Sequence, residues 1–342
     1  MANIREVARQ AGVSVATVSR VLNHPESVSP STMELVLETM KEMDYTPNAF
    51  ARSLALNRSS SIGLLIPNIL NPLYPQVAKG VEDVAHQKGY NVLLCNTEED
   101  REKEEDYLDM LIENRVGGLV LTASLLEKKE LEKLKKIKMP FVLVGRNIEE
   151  LDSNMVFTDY KLGAYQITQH LIETGHTKIA HIEGAPYHKE SLEKRLGYEK
   201  ALKESGLPLV ERYIVEGNNE IESGYIGTKK LLKEGDRPDA IFAANDLMAI
   251  GAIEALKDSG LKIPSDMGIV GFDDINMSTL IEPKLTTISQ PIYKMGLIAA
   301  RLLFENIENN SEDNISQKIF IQPRLMVRRS CGHEDRVREI FN

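Results

Sequence analysis

The chain has 342 residues, of which 42% are hydrophobic and 27% charged, and a formal net charge of -10. That length and composition allow two or three soluble domains, and the acidic balance excludes broad, charge-driven attraction to nucleic acid. No secretory signal and no apolar run of membrane-spanning length is present, and two cysteines, Cys95 and Cys331, build neither a disulfide framework nor a zinc site, so a reducing cytoplasm is expected.

In chain order, Ile4, Val7, Ala8 and Ala11 fall on one face of a short helix, and Gly12 follows at once. Glycine takes a positive φ without a Cβ clash, so Gly12 ends the helix and turns the chain. Ser14 is a good cap for a second helix that turns Val18, Val21 and Leu22 inward. The pattern predicts a helix-turn-helix, whose second helix enters the major groove of DNA; the plainer alternative is a helical hairpin in an ordinary core. Ser29-Pro30 then starts a third helix, with Met33, Val36, Leu37, Met40 and Met43 at the helical period. Glu34, Glu38 and Glu42, spaced by four, share a solvent face, whereas Arg5, Arg9, Arg20, Arg52 and Arg58 stand on other elements and suit phosphates. Weak non-specific binding and reliance on a specific site are therefore expected. Pro47 stops the third helix, Asn48 caps a two-turn helix over 48–56, and Ser59-Ser60-Ser61 makes a polar joint.

The run Val13-Ser14-Val15-Ala16-Thr17-Val18-Ser19-Arg20-Val21-Leu22-Asn23, taken with Tyr45-x-Pro47-Asn48-x-x-Ala51-Arg52-Ser53-Leu54, resembles the LacI/GalR family of bacterial transcription regulators. The resemblance extends to about Ser330. It implies that Val15, Ala16 and Arg20 choose bases. Val15 and Ala16, without side-chain hydrogen bonds, suit thymine methyls, and Arg20 suits a guanine edge. Ser14, Thr17, Ser19 and Asn23 would fix register on phosphates. The helix at 48–56 would be the family's hinge helix, with Ala51 and Leu54 at the minor groove and Leu54 as the wedge that kinks a central step.

From Ser61 strands and helices alternate, which predicts parallel α/β structure. Strands are expected at Ile62–Ile66, Asn91–Cys95, Leu119–Leu121, Phe141–Val144, Ile179–Ile182, Tyr213–Val215, Ala240–Ala243, Ile269–Phe272 and Leu285–Ser289. Helices are expected around Gln76–Lys88, Gly163–Thr174, Leu192–Ser205, Gly224–Leu232 and Leu247–Asp258. The acidic run Glu98–Asp106 and the basic run Lys128–Lys138 read as solvated helix faces, and His181 as buried in its strand. Two such lobes suggest a cleft that closes on one small molecule at the strand C-termini.

The expected fold is thus an N-terminal all-α helix-turn-helix headpiece plus an α/β periplasmic-binding-protein-like core of two lobes with parallel sheets. The headpiece spans 1–58 and an effector-binding and dimerisation domain spans 61–330. Its N-lobe takes about 61–159 and 291–320, its C-lobe about 160–290 and 321–330, and 331–342 is a charged tail. Candidate effector residues follow strands: Asn71, Tyr74, Arg146, Arg195, Asn218 or Asn219, Asn245, Asp273 and Gln290. Their amide, carboxylate and guanidinium groups make the paired hydrogen bonds that vicinal hydroxyls need. The resemblance favours Arg195 and Asp273 as the gripping pair; Asp246 reads as a helix cap. Gly145 stands where sugar-binding relatives often have an aspartate, Leu73 and Asn219 replace aromatics, and there is no Trp. The ligand is left open between a sugar, a sugar phosphate and another hydroxylated or anionic compound.

Neither G-x-G-x-x-G nor G-x-x-x-x-G-K-[ST] occurs and the histidines form no helical ligand pair, so no enzyme, metal or cofactor is expected. The expected function is a regulator, a repressor, whose affinity for a near-palindromic DNA operator is set by a sugar-like effector. A homodimer is expected, with a tetramer as the alternative. A cytoplasmic sugar-binding protein of the transport type with an unrelated N-terminal extension is the competing reading; the absent signal and the motif at 4–23 favour the regulator.

Overall fold

The computed structural model describes residues 3–23, 27–45, 60–233, 235–309 and 316–332. The chain divides into two compact units, Met1–Ser60 and Ser61–Asn342. The expected hinge helix at 48–56, with Ala51 and Leu54, lies outside the described residues, as does the side chain of Asn23.

In the first unit α1 (Ile4–Gln10), α2 (Val15–Asn23) and α3 (Pro30–Glu42) enclose a small core. Asn3 and Glu6 form a reciprocal capping box at the start of α1. Gly12, at φ +68°, turns the chain, and the Val13 amide closes onto the Ala8 carbonyl at 3.0 Å. Val7, Val18 and Val36 are fully buried, with Ala8, Ala11, Val21 and Met40 around them. Leu37, expected inward, is 47% exposed. The inward stripe of α3 is Met33, Val36, Met40 and Met43, and Leu37 lies beyond its edge, about 80° from its centre.

The second unit holds two sheets. The first runs β11-β5-β4-β3-β1-β2, from β1 (Ser61–Ile66), β2 (Asn91–Asn96), β3 (Leu119–Thr122), β4 (Phe141–Val144), β5 (Asn154–Thr158) and β11 (Lys318–Ile321). The second runs β12-β10-β9-β8-β6-β7, from β6 (Ile179–Glu183), β7 (Ile214–Glu216), β8 (Ala240–Ala243), β9 (Gly268–Asp273), β10 (Thr286–Ser289) and β12 (Arg324–Met326). All neighbours are parallel except β10 and β12. Helices cover both faces, which is why the inner strands are apolar throughout. Ile62, Leu64 and Ile66 of β1 face α4 (Leu73–Gln87) and α11 (Ile292–Asn309), whereas Leu65 faces α5 (Arg101–Glu113) and α6 (Lys128–Lys136). The second lobe is covered by α7 (Tyr160–Glu173) and α8 (Lys189–Glu204) on one face, and by α9 (Ile221–Lys233) and α10 (Asp246–Asp258) on the other.

Helix pairs cross at glycines. A Cβ on Gly251 of α10 would meet the Ile221 carbonyl oxygen at 1.9 Å, and one on Gly296 of α11 would meet that of Val77 at 2.4 Å. Hydrogen there lets the helix backbones touch.

Several expectations are corrected. The strand expected at Tyr213–Val215 is a 3-10 turn over Glu211–Tyr213 followed by β7. Cys331, expected in the tail, is buried, its Sγ 3.2 Å from both His170 Nε2 and Thr286 Oγ1; the rest of that stretch from 333 lies outside the described residues. Asp246 is not the cap of α10. Asn245 caps it, accepting from the Met248 amide at 2.8 Å, while Asp246 is buried beneath, accepting from Thr287 Oγ1 and, at 2.9 Å, from the Ile275 amide. Within the acidic run, Glu104 is no solvated residue: it is buried and accepts from the Leu125 amide at 2.9 Å, pinning that loop.

Candidate functional site

On α2, Ser14 Oγ accepts from the Thr17 amide at 3.0 Å and lies 2.9 Å from Thr17 Oγ1. That cap orders the first turn of the helix. Burial of Val18 and Val21 then fixes the rotation of α2, so that Val15 (42% exposed), Ala16 and Arg20 share the outer face, with Thr17 and Ser19 half-buried at its margins. The outer face carries short side chains beside a single long cation, which fits the floor of a groove.

In the second unit a cleft opens between the C-terminal ends of the strands of both sheets. Asn71, Tyr74, Asn219, Asn245, Asp273 and Gln290, six of the expected residues, line it together. Each lies at or beyond the C-terminal end of a strand, the side on which a parallel sheet binds ligands. Asp273 ends β9 with φ +113°, a backbone conformation that costs on the order of 1–3 kcal/mol for a residue other than glycine. Its Oδ1 accepts from Gln290 Nε2 at 2.8 Å. Burial pushes the Asp273 carboxyl up from 3.8 to about 6, against the Lys194 charge and the Gln290 hydrogen bond, with Glu190 adding to the rise. Asn245 has both ends of its amide engaged, the second donating to the Asn219 carbonyl at 2.8 Å, so it positions the loop at Asn219.

Arg195 is corrected: it is absent from the cleft lining. Its guanidinium is held by Glu199 at 2.7 Å, Glu183 at 3.3 Å and Glu211 at 3.6 Å. Lys194, one residue earlier and 100° round the helix, faces the cleft instead. Arg146 also turns aside, donating to the carbonyls of Ser124, at 2.6 Å, and Leu126, and lining a neighbouring groove. Glu99, Thr122, Tyr160, Glu190 and Lys194 are cleft residues that the sequence reading missed. Burial, reinforced by nearby carboxylates, raises the Tyr74 and Tyr160 hydroxyls well above the usual tyrosine range, so both stay neutral. The Tyr160 hydroxyl donates to the Gly145 carbonyl at 3.1 Å.

At one edge of the cleft His188 lies between two carboxylates, Nε2 3.4 Å from Glu99 and Nδ1 3.5 Å from Glu190. Burial opposes its charged form, but the Glu99 hydrogen bond and the two negative charges outweigh it and the proton is held more tightly than usual. Two buried oxygens on the lining, Thr122 Oγ1 and Gln290 Oε1, have no hydrogen-bond partner among the described residues. Buried polar atoms in native proteins are nearly always paired, so these two suit a ligand.

Comparison with known proteins matches both units to one family. Residues 3–48 match the family described as bacterial regulatory proteins, lacI family, and residues 59–329 match periplasmic binding proteins and sugar binding domain of LacI family. Catabolite control protein A of Priestia megaterium is 39% identical over 312 residues, covering 91% of this chain and 94% of its own. The ribose operon repressor of Halalkalibacterium halodurans is 41% identical over 328 residues, covering 96% of each chain. The solved structure of the lac repressor dimer bound to operator and the anti-inducer ONPF superposes with a TM-score of 0.84 at 28% identity, covering 96% of this chain and 99% of that one. These relatives are regulators rather than enzymes, and no described helix is long and apolar enough to cross a membrane. From Asn3 to Arg329, through its capped reading helix and its two-lobed cleft, the chain belongs to the LacI family of bacterial transcription regulators.

Proposed function

We propose that this regulator is a repressor that binds a near-palindromic operator as a homodimer in the cytoplasm and is switched by a hydroxylated small molecule held in the cleft. The observation that carries the ligand half is the convergence of Asp273, Gln290 and the orphaned Thr122 hydroxyl on one cleft. A carboxylate and amides are the groups that hold hydroxyls in pairs. The DNA half rests on the outer face of α2: Arg20 reads a guanine, Val15 and Ala16 contact thymine methyls, and Ser14, Thr17, Ser19 and Asn23 hold phosphates. Ala51 and Leu54 contact the minor groove, with Leu54 as the wedge, on the resemblance alone. Edge strand β2 supports the dimer, with Leu93 and Leu94 39% and 40% exposed, and so does the dimeric state of the lac repressor in its solved structure. The ligand acts through its difference in affinity between the DNA-binding and DNA-free states, typically about 1–3 kcal/mol of coupling.

The test is a thermal-shift screen of purified protein against sugars, nucleobases and amino acids, followed by operator binding with and without the hit. A ligand at 100 times its Kd stabilises by about 2.7 kcal/mol, which such a screen detects readily. A hit that changes operator affinity supports the proposal, and one that leaves it unchanged overturns the switch. Arg20→Ala is expected to relax preference at one base pair by roughly 1–3 kcal/mol.

A further inference from the structure

The charges of the cleft narrow its ligand, an inference that rests on the cleft being the effector site. Glu99, Glu190 and Asp273 line it, and among the described residues the ammonium of Lys194 is the only Lys or Arg cation on the lining. His188, at 3.4 and 3.5 Å from the two glutamates, offsets part of the negative charge from behind them.

Groups suited to gripping an anion are turned elsewhere. Arg146 and Arg195, whose guanidinium forks match phosphate best, are held by two carbonyls and by three carboxylates respectively. Lys194 Nζ already donates to the Ala244 carbonyl at 2.8 Å and lies 4.3 Å from the centre of the Phe272 ring. Helix starts also attract anions through uncapped amides. Here the Leu73 amide donates to Asn71 Oδ1 at 3.0 Å and the Met248 amide to Asn245 Oδ1 at 2.8 Å. What the lining does offer is acceptors. The orphaned Gln290 Oε1 can only accept, and so can ionised carboxylates.

We propose that this cleft admits an uncharged or amine-bearing polyol and rejects its phosphate ester, with Glu99 and Glu190 as the residues that impose the choice. A phosphate ester carries a charge of about -2 near neutral pH, and in a site shielded from water like charges repel more strongly than in bulk. An ammonium or hydroxyl meets the opposite situation and gives its protons to Asp273, Gln290 and Glu190.

Calorimetric titration of the full chain with ribose, glucose and glucosamine, and then with ribose 5-phosphate, glucose 6-phosphate and inorganic phosphate, tests this. Binding of at least one unphosphorylated compound is expected, with its phosphate ester at least about tenfold weaker. Glu190→Gln is expected to shift the ratio of the two affinities towards the ester, with circular dichroism verifying the fold. An ester that binds as tightly as its parent, or an unmoved ratio in Glu190→Gln, overturns this selectivity and leaves the effector reading standing. Binding by neither class overturns both.

Discussion

Glu99 and Tyr187 stand on opposite lobes, and the Tyr187 hydroxyl donates to Glu99 Oε2 at 2.6 Å. His188 approaches the same oxygen, and Asn68 donates to Glu220 across the lobes at 3.3 Å. The two lobes are therefore clasped by side chains as well as joined by the chain. Tyr187 is 55% exposed, so water competes for the bond and its contribution falls towards about 1 kcal/mol. Tyr187→Phe is expected to raise the ligand Kd several-fold in calorimetry, and an unchanged Kd means that the bond is not part of the ligand-bound form.

The clasp is also sensitive to protons. His188 holds its proton above the ordinary 6.5, so its contribution is complete below that value and disappears as pH rises through its higher folded value. Glu99 is the converse. Burial opposes its ionised form, but hydrogen bonds from His188 and Tyr187 outweigh this and hold its carboxyl below 4.5, so its contribution is present above that value and is lost in acid. The clasp is thus strongest between about pH 4.5 and 6.5 and loosens above. Melting curves of His188→Gln are expected to have a flatter dependence between pH 6 and 8 than the parent; parallel curves would sink the idea.

Asp273 is held in a destabilised state by its burial. A carboxyl moved from 3.8 to about 6 costs the folded state about 3 kcal/mol once ionised. Because the folded value is raised, that cost is absent below pH 3.8 and grows as pH rises through 6. Asp273→Asn can keep the Gln290 hydrogen bond and lose the charge. It is expected to be more stable than the parent at pH 7.5, equal to it near pH 4, and unresponsive to ligand. Denaturant unfolding at the two pH values measures the first pair, and a ligand response that survives removes Asp273 from the site.

At the crossing of α9 and α10 there is no space for a methyl group. Gly251→Ala places a carbon against the Ile221 carbonyl oxygen and must push the helices apart, at a cost of about 1–3 kcal/mol, as overpacked cores show. Chemical denaturation gives the value directly. A loss below 0.5 kcal/mol, the scatter of ordinary surface changes, would mean that this pair of helices slides freely.

Much of the architecture was legible because two periodicities are strong here: the buried strands stand out as apolar runs and the headpiece as caps, a glycine turn and valines. The cleft was legible only in part, and the helix starts show why. Helices read as starting at Gln76, Gly163, Leu192 and Gly224 begin instead at Leu73, Tyr160, Lys189 and Ile221, each nearly one turn earlier. First turns at the cleft follow the demands of the site rather than the core stripe, so apolar periodicity passes over them. Tyr160 and Glu190 were missed in those turns. Arg195 was favoured by resemblance and Lys194 was not considered, yet the buried stripe Ser191, Lys194, Tyr198, Ala201 of α8 includes the lysine and passes the arginine by. Strands β11 and β12 gave no clear signal because they are half-exposed, and β5, opened by Asn154 and closed by Thr158, has only three apolar residues.

Those last two strands impose an order on biosynthesis. β11 pairs with β5 and β12 with β10, so each sheet gains its final strand only from residues after 317. The chain passes between lobes after β5, after β10 and again between β11 and β12. A ribosome adding about 5–20 residues per second therefore completes the first lobe only a few residues ahead of the second. Between the synthesis of β10 and that of β11 the nascent chain carries two sheets that each lack an edge, and a message truncated before codon 318 yields neither lobe whole rather than one functional half.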